Sequence, residues 1–214
     1  MRLALVHLYV AATAAAPAIA APRAPLVWAF GDSLAAGYGL PPAQGFTARL
    51  QAALRRSGIA ATVRNGGVAG DTAAQARARL RWGLRGLGAT PDLVIVELGA
   101  NDMLRGLPVA QARANLDAIL TELAARHIPV VLAGMRAAPN LGAGYAQPFA
   151  AMYPALARAH RATLYPFFLD GVAGDRRLIQ PDGLHPNARG VDVIVARILP
   201  VVTRALGTAA TTGR

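Results

Sequence analysis

Two amino acids are missing from the 214-residue chain, and their absence limits the chemistry it can support. No cysteine occurs, so neither a disulfide nor a thiol nucleophile is available, and stability must come from the packed core. Lysine is also absent, so all 22 basic residues are arginines. Past the amino terminus, no apolar run approaches the roughly 18 residues that a membrane-spanning helix needs. We therefore expect a soluble protein and, at this length, one domain.

The amino terminus has the pattern of an export signal. Arg2 precedes the apolar run from Leu3 to Ala16, and "APAIAA" then supplies the small residues Ala18 and Ala20 before a cleavage site. This pattern predicts a signal peptide over residues 1–20 and a single mature domain over residues 21–214. An alanine-rich terminal helix is the alternative interpretation. With a signal peptide, the mature protein is expected in the periplasm or outside the cell.

Positive charge dominates the composition, with a net charge of +11 and an isoelectric point near 11.5. Such a value raises the question of nucleic-acid binding. The arginines, however, are scattered singly or at helical spacing, as in "ARARLRWGLR", with no aromatic residues interleaved. We therefore expect no specific nucleic-acid partner. We interpret most of these arginines as a solvated face on a monomeric protein, and the further role open to that face is transient contact with an anionic membrane or polysaccharide surface.

Short apolar runs alternate with helical patterns along the mature chain. The strand-like runs cover residues 26–30, 61–64, 93–98, 130–133 and 163–165, and the helix-like stretches cover residues 45–57, 73–84, 109–126, 149–160 and 187–206. This alternation predicts parallel βαβ units. The almost wholly apolar "LVIVELG" is typical of a central strand covered on both faces. The predicted fold class is α/β, a three-layer α/β/α sandwich.

Polar residues cluster after the predicted strands, at the sheet edge where open parallel sheets bind ligands. Ser33 follows the first strand, and Asp182 and His185 lie in the loop before the last helix. A serine, a histidine and a carboxylate three residues before that histidine are what acyl transfer requires, because the imidazole takes the serine proton and the carboxylate orients the imidazole. Gly70 and Asn101 follow two further strands and are candidate donors to an oxyanion, beside the Ser33 N–H.

Four stretches together carry a resemblance to a known family. "FGDSLAAGYG", "GVAGDT", "ELGAND" and "DGLHPN" resemble, in order and spacing, the four blocks of the SGNH (GDSL) hydrolases. The match is closest to the bacterial periplasmic branch of thioesterase I, lysophospholipase and arylesterase enzymes, and it covers residues 26–206. The resemblance implies a flavodoxin-like sheet of five parallel strands, with no metal and no cofactor. It also implies a triad and an oxyanion hole formed by Ser33, Asp182, His185, Gly70 and Asn101.

The loops after the third and fourth predicted strands are expected to contact the substrate. The candidate substrate-binding residues are Gly99, Met103, Leu104, Arg136, Asn140 and Leu141. In the resembling branch, a leucine and a tyrosine stand where this chain has Ala137 and Leu141, and many relatives have glycine in place of Ala100. Because shorter side chains would cover less of an acyl chain, we expect an optimum at roughly C4 to C8 esters.

Three classes of function remain open. The first is a serine esterase or thioesterase acting on small acyl esters, including aryl esters, acyl thioesters and lysophospholipids. The second is an esterase that removes O-acetyl groups from envelope polysaccharide, and the third is a non-catalytic flavodoxin-like binding module, against which the intact triad argues. The glycines of "GDSLAAGYG" match neither a P-loop nor a dinucleotide fingerprint, and no Gly-x-Ser-x-Gly elbow occurs. We interpret Asp32, Asp71 and Asp102 as caps and supporting hydrogen-bond acceptors, and His127 and His160 as structural.

Overall fold

A five-stranded parallel sheet forms the centre of the protein. The structure is a computed structural model and describes residues 23–212, so the expected signal peptide over residues 1–20 lies outside the described residues. The strands lie in the order β2-β1-β3-β4-β5, and every neighbouring pair is parallel. Their bounds are β1 (Leu26–Gly31), β2 (Thr62–Gly67), β3 (Leu93–Glu97), β4 (Val130–Ala133) and β5 (Thr163–Tyr165). The predicted α/β class and flavodoxin-like sheet are confirmed.

Helices cover both faces of the sheet. They are α1 (Ser33–Ala36), α2 (Phe46–Arg56), α3 (Ala73–Gly86), α4 (Ala100–Leu104), α5 (Val109–Ala125), α6 (Ala143–Ala159) and α7 (Ala188–Thr212). Helix α2 packs against α7, whereas α5 packs between α3 and α6. These two groups form the outer layers of the predicted sandwich. Along residues 23–212, no helix combines the length and the apolar character needed to cross a membrane.

The central strands β1 and β3 are buried along their whole length. Because helices cover both faces of the sheet, these strands are apolar throughout instead of alternating with polar residues. One charged residue interrupts them, Glu97 at the carboxyl end of β3, which is only 1% exposed. A lone carboxyl group in an apolar strand has to find its partners inside the protein.

The path of the chain places the site between β1 and β3. From β1 the chain runs to β2 on one side and then returns to form β3 on the other side. Connections that leave in opposite directions open a crevice beyond the carboxyl ends of the two strands. Ser33 follows β1 by two residues, and Asn101 lies in α4, which follows β3. The switch of direction therefore brings both residues to one crevice.

Helix α6 begins earlier than the sequence predicts. It starts at Ala143 instead of Phe149, so it includes Pro148 as well as Pro154, which already lay within the predicted stretch. Its buried residues are Phe149, Met152, Tyr153, Leu156 and Ala157, which form one continuous stripe. Both prolines lie off that stripe, so burial of the stripe outweighs the loss of two backbone hydrogen bonds. The short helices α1 and α4 were not predicted, because single turns have no detectable period.

Candidate active site

Ser33 stands at a tight junction between sheet and helix. It is the first residue of α1, and Asp32 caps that helix by accepting a hydrogen bond from the Leu34 N–H at 3.0 Å. The helix ends after one turn at Gly37, which has a left-handed backbone with φ of 79°. The end of β2 packs closely below, since a Cβ on Gly67 would overlap the Ala36 backbone. Small residues thus allow α1 to hold Ser33 at the rim of the sheet.

A chain of hydrogen bonds joins Ser33 to the loop before α7. Ser33 Oγ lies 2.9 Å from His185 Nε2, and His185 Nδ1 lies 2.6 Å from Asp182 Oδ2. The other carboxylate oxygen of Asp182 accepts the backbone N–H groups of Leu184 at 2.9 Å and His185 at 3.0 Å. These two N–H groups, followed by the imidazole, lower the pKa of Asp182 to about 2. Asp182 is therefore an anion throughout the neutral range, and it directs the Nδ1 side of the ring.

The loop that carries His185 is held by further bonds of its own. Its ends form an isolated antiparallel bridge between Ile179 and Pro186, and the Gln180 N–H donates to the His185 carbonyl at 2.7 Å. The Gln180 side chain reaches across to donate to the Tyr38 carbonyl at 2.8 Å. The ring of Tyr38 lies 4.5 Å from the imidazole of His185. The histidine is thereby positioned against the loop that follows α1.

Two residues at the crevice have backbone N–H groups that are not used within the described chain. In the described chain, the N–H groups of Ser33 and Gly70 donate to no protein acceptor, and both residues line the adjoining pocket. Gly70 has φ of 86°, a left-handed conformation that strains other residues. Asn101 Nδ2 differs, because it lies 3.1 Å from both Asp32 Oδ2 and the Asp71 carbonyl. Its amide must share or release a hydrogen before it can donate to a bound ligand.

Arg79 fixes the loop that contains Gly70. Its guanidinium bonds Asp71 at 2.5 Å and also donates to the carbonyls of Gly66 at 2.9 Å and Gly31 at 2.8 Å. These acceptors lie at the ends of β1 and β2 and in the loop itself. One partly buried guanidinium thus holds three backbone segments around the free Gly70 N–H. The interpretation of Asp71 as a supporting residue agrees with this contact.

A pair of buried carboxyl groups lies beneath the serine. Asp32 is fully buried, and it faces Glu97 at the end of β3. Neither carboxyl oxygen of Glu97 makes a hydrogen bond of good geometry to an N–H or O–H group of the described chain. Burial, followed by the Asp32 charge, raises the pKa of Glu97 well above its ordinary value. Burial also raises the pKa of Asp32 to about 6, against the lowering effect of the Leu34 N–H.

A largely apolar pocket of about 460 Å³ opens beside Ser33 and His185. Of the six candidate substrate-binding residues, Met103, Leu104 and Arg136 line it. Gly99, Asn140 and Leu141 do not line it. Gly99 is buried below Tyr153 and Phe149, Asn140 is exposed, and Leu141 packs against the core. Ala137, from the same loop as Leu141, does form part of the wall.

Sequence reasoning missed several residues that shape the site. The far wall comes from the segment after β5 and includes Phe167, Leu169 and Ala173, which carry no motif. Tyr38 lies within the block "FGDSLAAGYG", but no role was predicted for it. Glu97 had a usable signal, as the single carboxylate in an apolar strand. By contrast, His160 bonds Asp117 at 2.7 Å at the end of α6, as a structural histidine would.

Comparisons with known proteins agree with this geometry. Residues 29–193 match the model of the GDSL-like Lipase/Acylhydrolase family. The chain is 37% identical to Esterase TesA of Pseudomonas aeruginosa, over 80% of this chain and 85% of that protein. It is 36% identical to Thioesterase 1/protease 1/lysophospholipase L1 of Escherichia coli, over 73% of each chain. The crystal structure of AlinE4, an SGNH-hydrolase family esterase, superposes with a TM-score of 0.74 at 49% identity, covering 87% of this chain and 99% of that one.

Proposed function

Because this chain belongs to the GDSL-like lipase/acylhydrolase family of ester hydrolases, we propose that it cleaves small acyl esters and thioesters through Ser33, His185 and Asp182. The substrate is an acyl chain of modest length on an aryl, thiol or lysophospholipid leaving group. The observation that carries the proposal is the hydrogen-bonded chain from Ser33 through His185 to Asp182, next to two unused backbone donors. No metal or other cofactor takes part in the proposed steps.

The reaction proceeds through an acyl-enzyme. Ser33 Oγ attacks the acyl carbon while its proton passes to His185 Nε2, and the carbonyl oxygen becomes an oxyanion. The N–H groups of Ser33 and Gly70 receive that oxyanion, and Asn101 joins them as its amide turns from protein acceptors to the substrate. His185 then gives the proton to the leaving oxygen or sulfur as the bond to the acyl carbon breaks. Water repeats the sequence with the same base and releases the acid.

Asp182 keeps the imidazole ready for both proton transfers. As an anion, it accepts the Nδ1–H and so leaves Nε2 free to face the serine. It also stabilises the imidazolium that forms when the serine proton arrives. Because two backbone N–H groups already hold the carboxylate, the negative charge stays on Asp182 throughout.

The test combines turnover with covalent trapping. Purified protein is assayed on p-nitrophenyl acyl esters from acetate upward and is then treated with a p-nitrophenyl phosphonate ester. We expect ester turnover in the wild type and one phosphonyl group on Ser33, found by peptide mass spectrometry. The only other serine of the chain is Ser57, at the end of α2, so Ser57→Ala is the matched control. Label in Ser33→Ala, or loss of label in Ser57→Ala, would contradict the assignment.

The apolar lining favours an acyl chain over a sugar in the pocket. The pocket wall includes the apolar side chains of Met103, Leu104, Met135, Phe167, Leu169 and Ile179. For the alternative of an O-acetyl esterase, an acetylated glycan is assayed beside the nitrophenyl esters. Faster release of acetate from the glycan than from any nitrophenyl ester would favour the polysaccharide substrate. A protein inactive on both substrates would support a binding module.

Export and domain organisation are part of the same proposal. Residues 1–20 act as a signal peptide, and residues 21–214 form a single hydrolase domain that works as a monomer in the periplasm or outside the cell. The apolar run and the small residues at the cleavage site support this. Intact-mass analysis of the protein recovered outside the cytoplasm should give a chain that begins at Ala21. A full-length chain as the sole product, confined to the cytoplasm, would contradict it.

A further inference from the structure

The large apolar side chains that remain exposed are concentrated at the pocket mouth. Among the side chains that the structure describes, five are markedly exposed: Tyr38 at 53%, Val68 at 44%, Trp82 at 71%, Leu104 at 53% and Leu184 at 50%. Three of them, Tyr38, Leu104 and Leu184, line the pocket. Val68 lies one residue before the pocket-lining pair Ala69 and Gly70. Only Trp82, on α3, stands apart from the mouth.

These four side chains, which we call the apolar rim, come from four separate loops. Tyr38 follows α1, Val68 follows β2, Leu104 closes α4, and Leu184 precedes His185. Local sequence therefore does not explain why they lie near the same opening. Scattered exposed apolar residues are normal on a folded protein, but a cluster around one opening marks a surface that binds something apolar.

Arginines without carboxylate partners surround the apolar rim. Arg105 donates to the Gly70 carbonyl at 2.7 Å, and Arg136 lies over the Phe167 ring at 4.8 Å. Arg176 lines a shallow depression that shares Gly174, Ile179 and Gly183 with the pocket. All three arginines are exposed, and none forms a salt bridge within residues 23–212.

Among the acidic residues that the structure describes in these loops, Asp182 alone is exposed without a cationic partner, so it offsets one of the three unpaired arginines. Each one that the structure describes is either bonded to a cation or imidazole, or buried below the surface. Asp71 pairs with Arg79, Asp175 with Arg177 and Asp182 with His185, while Asp32 and Asp102 are buried. The mouth therefore presents an apolar centre within a positively charged border.

We propose that this face docks on an anionic phospholipid surface, so that the pocket opens directly onto the lipid. The apolar rim enters the boundary between headgroups and acyl chains, and the guanidinium groups of Arg105, Arg136 and Arg176 bind lipid phosphates. The inference rests on the proposed function only in taking this pocket as the ester site. Docking itself needs no intact nucleophile.

An anionic lipid surface fits this face because it offers both an apolar layer for the apolar rim and phosphates for the guanidinium groups. A purely apolar partner would leave three guanidinium groups without anions, and a free anion would leave the apolar rim in water. An anionic bilayer satisfies both within a few ångströms of depth. Each arginine near such a surface strengthens binding by roughly fivefold at ordinary salt.

The experiment measures vesicle binding with the Ser33→Ala variant, which excludes turnover. Protein is sedimented with sucrose-loaded vesicles of phosphatidylcholine alone or with 30% phosphatidylglycerol added. We expect binding to the mixed vesicles, weak binding to phosphatidylcholine, and loss of binding when the salt concentration is raised. Arg176→Glu and Val68→Ser, each added to this background, should weaken binding about tenfold and about threefold, respectively.

Matched controls separate this face from the general charge of the protein. Arg85→Glu makes the same charge change on α3, beside the loop that leads into the amino-terminal end of β3, and Trp82→Ser removes an exposed apolar side chain away from the mouth. Each control should weaken binding less than twofold. Equal losses in Arg176→Glu and Arg85→Glu would overturn the proposal, because they indicate only the attraction of a basic protein.

Two further outcomes also count against docking. Absence of binding to mixed vesicles would overturn it while leaving turnover of soluble esters intact, so its failure is distinct from failure of the proposed function. A lipid-free dimer that dissociates in Val68→Ser would instead assign the apolar rim to a second copy of the chain. When Ser33 is retained, Val68→Ser and Arg176→Glu should each turn over soluble esters within twofold of wild type.

Discussion

Two aspartates near Ser33 lie in contrasting surroundings. Asp182 lies in an exposed loop and receives two backbone N–H groups and an imidazole, and its pKa falls to about 2. Asp32, directly before Ser33, lies in the core opposite Glu97, and burial raises its pKa to about 6. The difference arises from the number of donors and from access to water, since the residue type is the same.

The contrast separates two tasks at the site. In the proposed mechanism, the exposed aspartate keeps its charge and orients the imidazole that carries the proton in each turnover. The buried pair fixes neighbouring groups, because Asp32 caps α1 through Leu34 and accepts a hydrogen bond from Asn101. Its role is positioning, so disturbing it should cost less activity than disturbing the loop.

The largest difference is expected between two matched substitutions. Asp182→Asn should lower kcat by about 10³–10⁴, because an amide at this position favours the wrong imidazole tautomer and leaves the imidazolium unstabilised. Asp32→Asn should lower kcat only about tenfold, through a misplaced Asn101. The measurement is kcat and KM on p-nitrophenyl butyrate, with circular dichroism to check the fold. Equal losses would remove the distinction between the two tasks.

Asn101 connects the two regions, so its loss should fall between these cases. Asn101→Ala should reduce kcat by roughly 10²–10³ with little change in KM, because an oxyanion donor acts mainly in the transition state. The same assay is run on Asn115→Ala, which removes an amide on the far helix α5 and serves as the control. A rise in KM at unchanged kcat would reassign Asn101 to ground-state binding.

The pH dependence of stability should have opposite signs for the two carboxyl sites. The folded pKa of Asp32 lies above its ordinary 3.8, so its contribution is present below about pH 4 and is lost as the pH rises through about 6. The folded pKa of Asp182 is lowered, so its contribution is present above about pH 4 and is lost as the pH falls towards 2. Thermal unfolding should therefore occur at a higher temperature near pH 4.5 than near pH 7, by roughly 5 °C from these groups.

Glu97→Gln tests which carboxyl is responsible for that trend. The amide of glutamine can donate to Asp32 without adding a charge, so the fall in unfolding temperature between pH 4.5 and 7 should become smaller by the contribution of Glu97, while the part due to burial of Asp32 remains. The control is Glu122→Gln, because Glu122 is a surface carboxylate paired with Arg81 and Arg126. A trend that persists in full in Glu97→Gln and disappears in Glu122→Gln would assign it to the surface.

The smallest effect concerns two residues of one loop, one in the pocket wall and one packed against the core. Wild type should prefer roughly C4 to C8 esters, and Ala137→Leu should raise kcat/KM about fourfold for each substrate methylene that the new side chain covers. Leu141→Tyr should leave the profile unchanged, since Leu141 does not line the pocket. The profile is measured with p-nitrophenyl esters from C2 to C16. A shift caused by Leu141→Tyr would mean that this loop closes over the bound chain.

Much of the fold could be predicted from the sequence because strands and helices have distinct periods. The bounds of β4 and β5 agree with the prediction, and the other strands differ by at most three residues at an end. The predicted start of α6 was wrong. Pro148 is a local signal against a helix, whereas burial of the apolar stripe on that helix depends on the whole fold. Rules based on neighbouring residues do not include packing against distant parts of the chain.

The residues of the candidate site also fall into those predicted from local motifs and those that depend on the whole fold. Ser33, Asp182 and His185 were predicted from local motifs and come together in the structure, and so do Gly70 and Asn101 at the mouth. The pocket wall formed by the segment after β5, and the pairing of Asp32 with Glu97, depend on which strands lie side by side in the sheet. Leu141 was expected to cover the acyl chain, but its side chain turns towards the core. A loop sequence does not specify which of its side chains points inward.

The order of the site residues along the chain affects when the site first exists. Ser33 and His185 bond across 152 residues, with nearly the whole sheet between them in sequence. In the proposed mechanism, a nascent chain that has emerged as far as β5 carries the nucleophile Ser33 but not the base His185, whatever its degree of folding. Synthesis therefore cannot yield an active fragment ahead of the last loop, and any ester turnover reports that the carboxyl-terminal segment has been made and has docked.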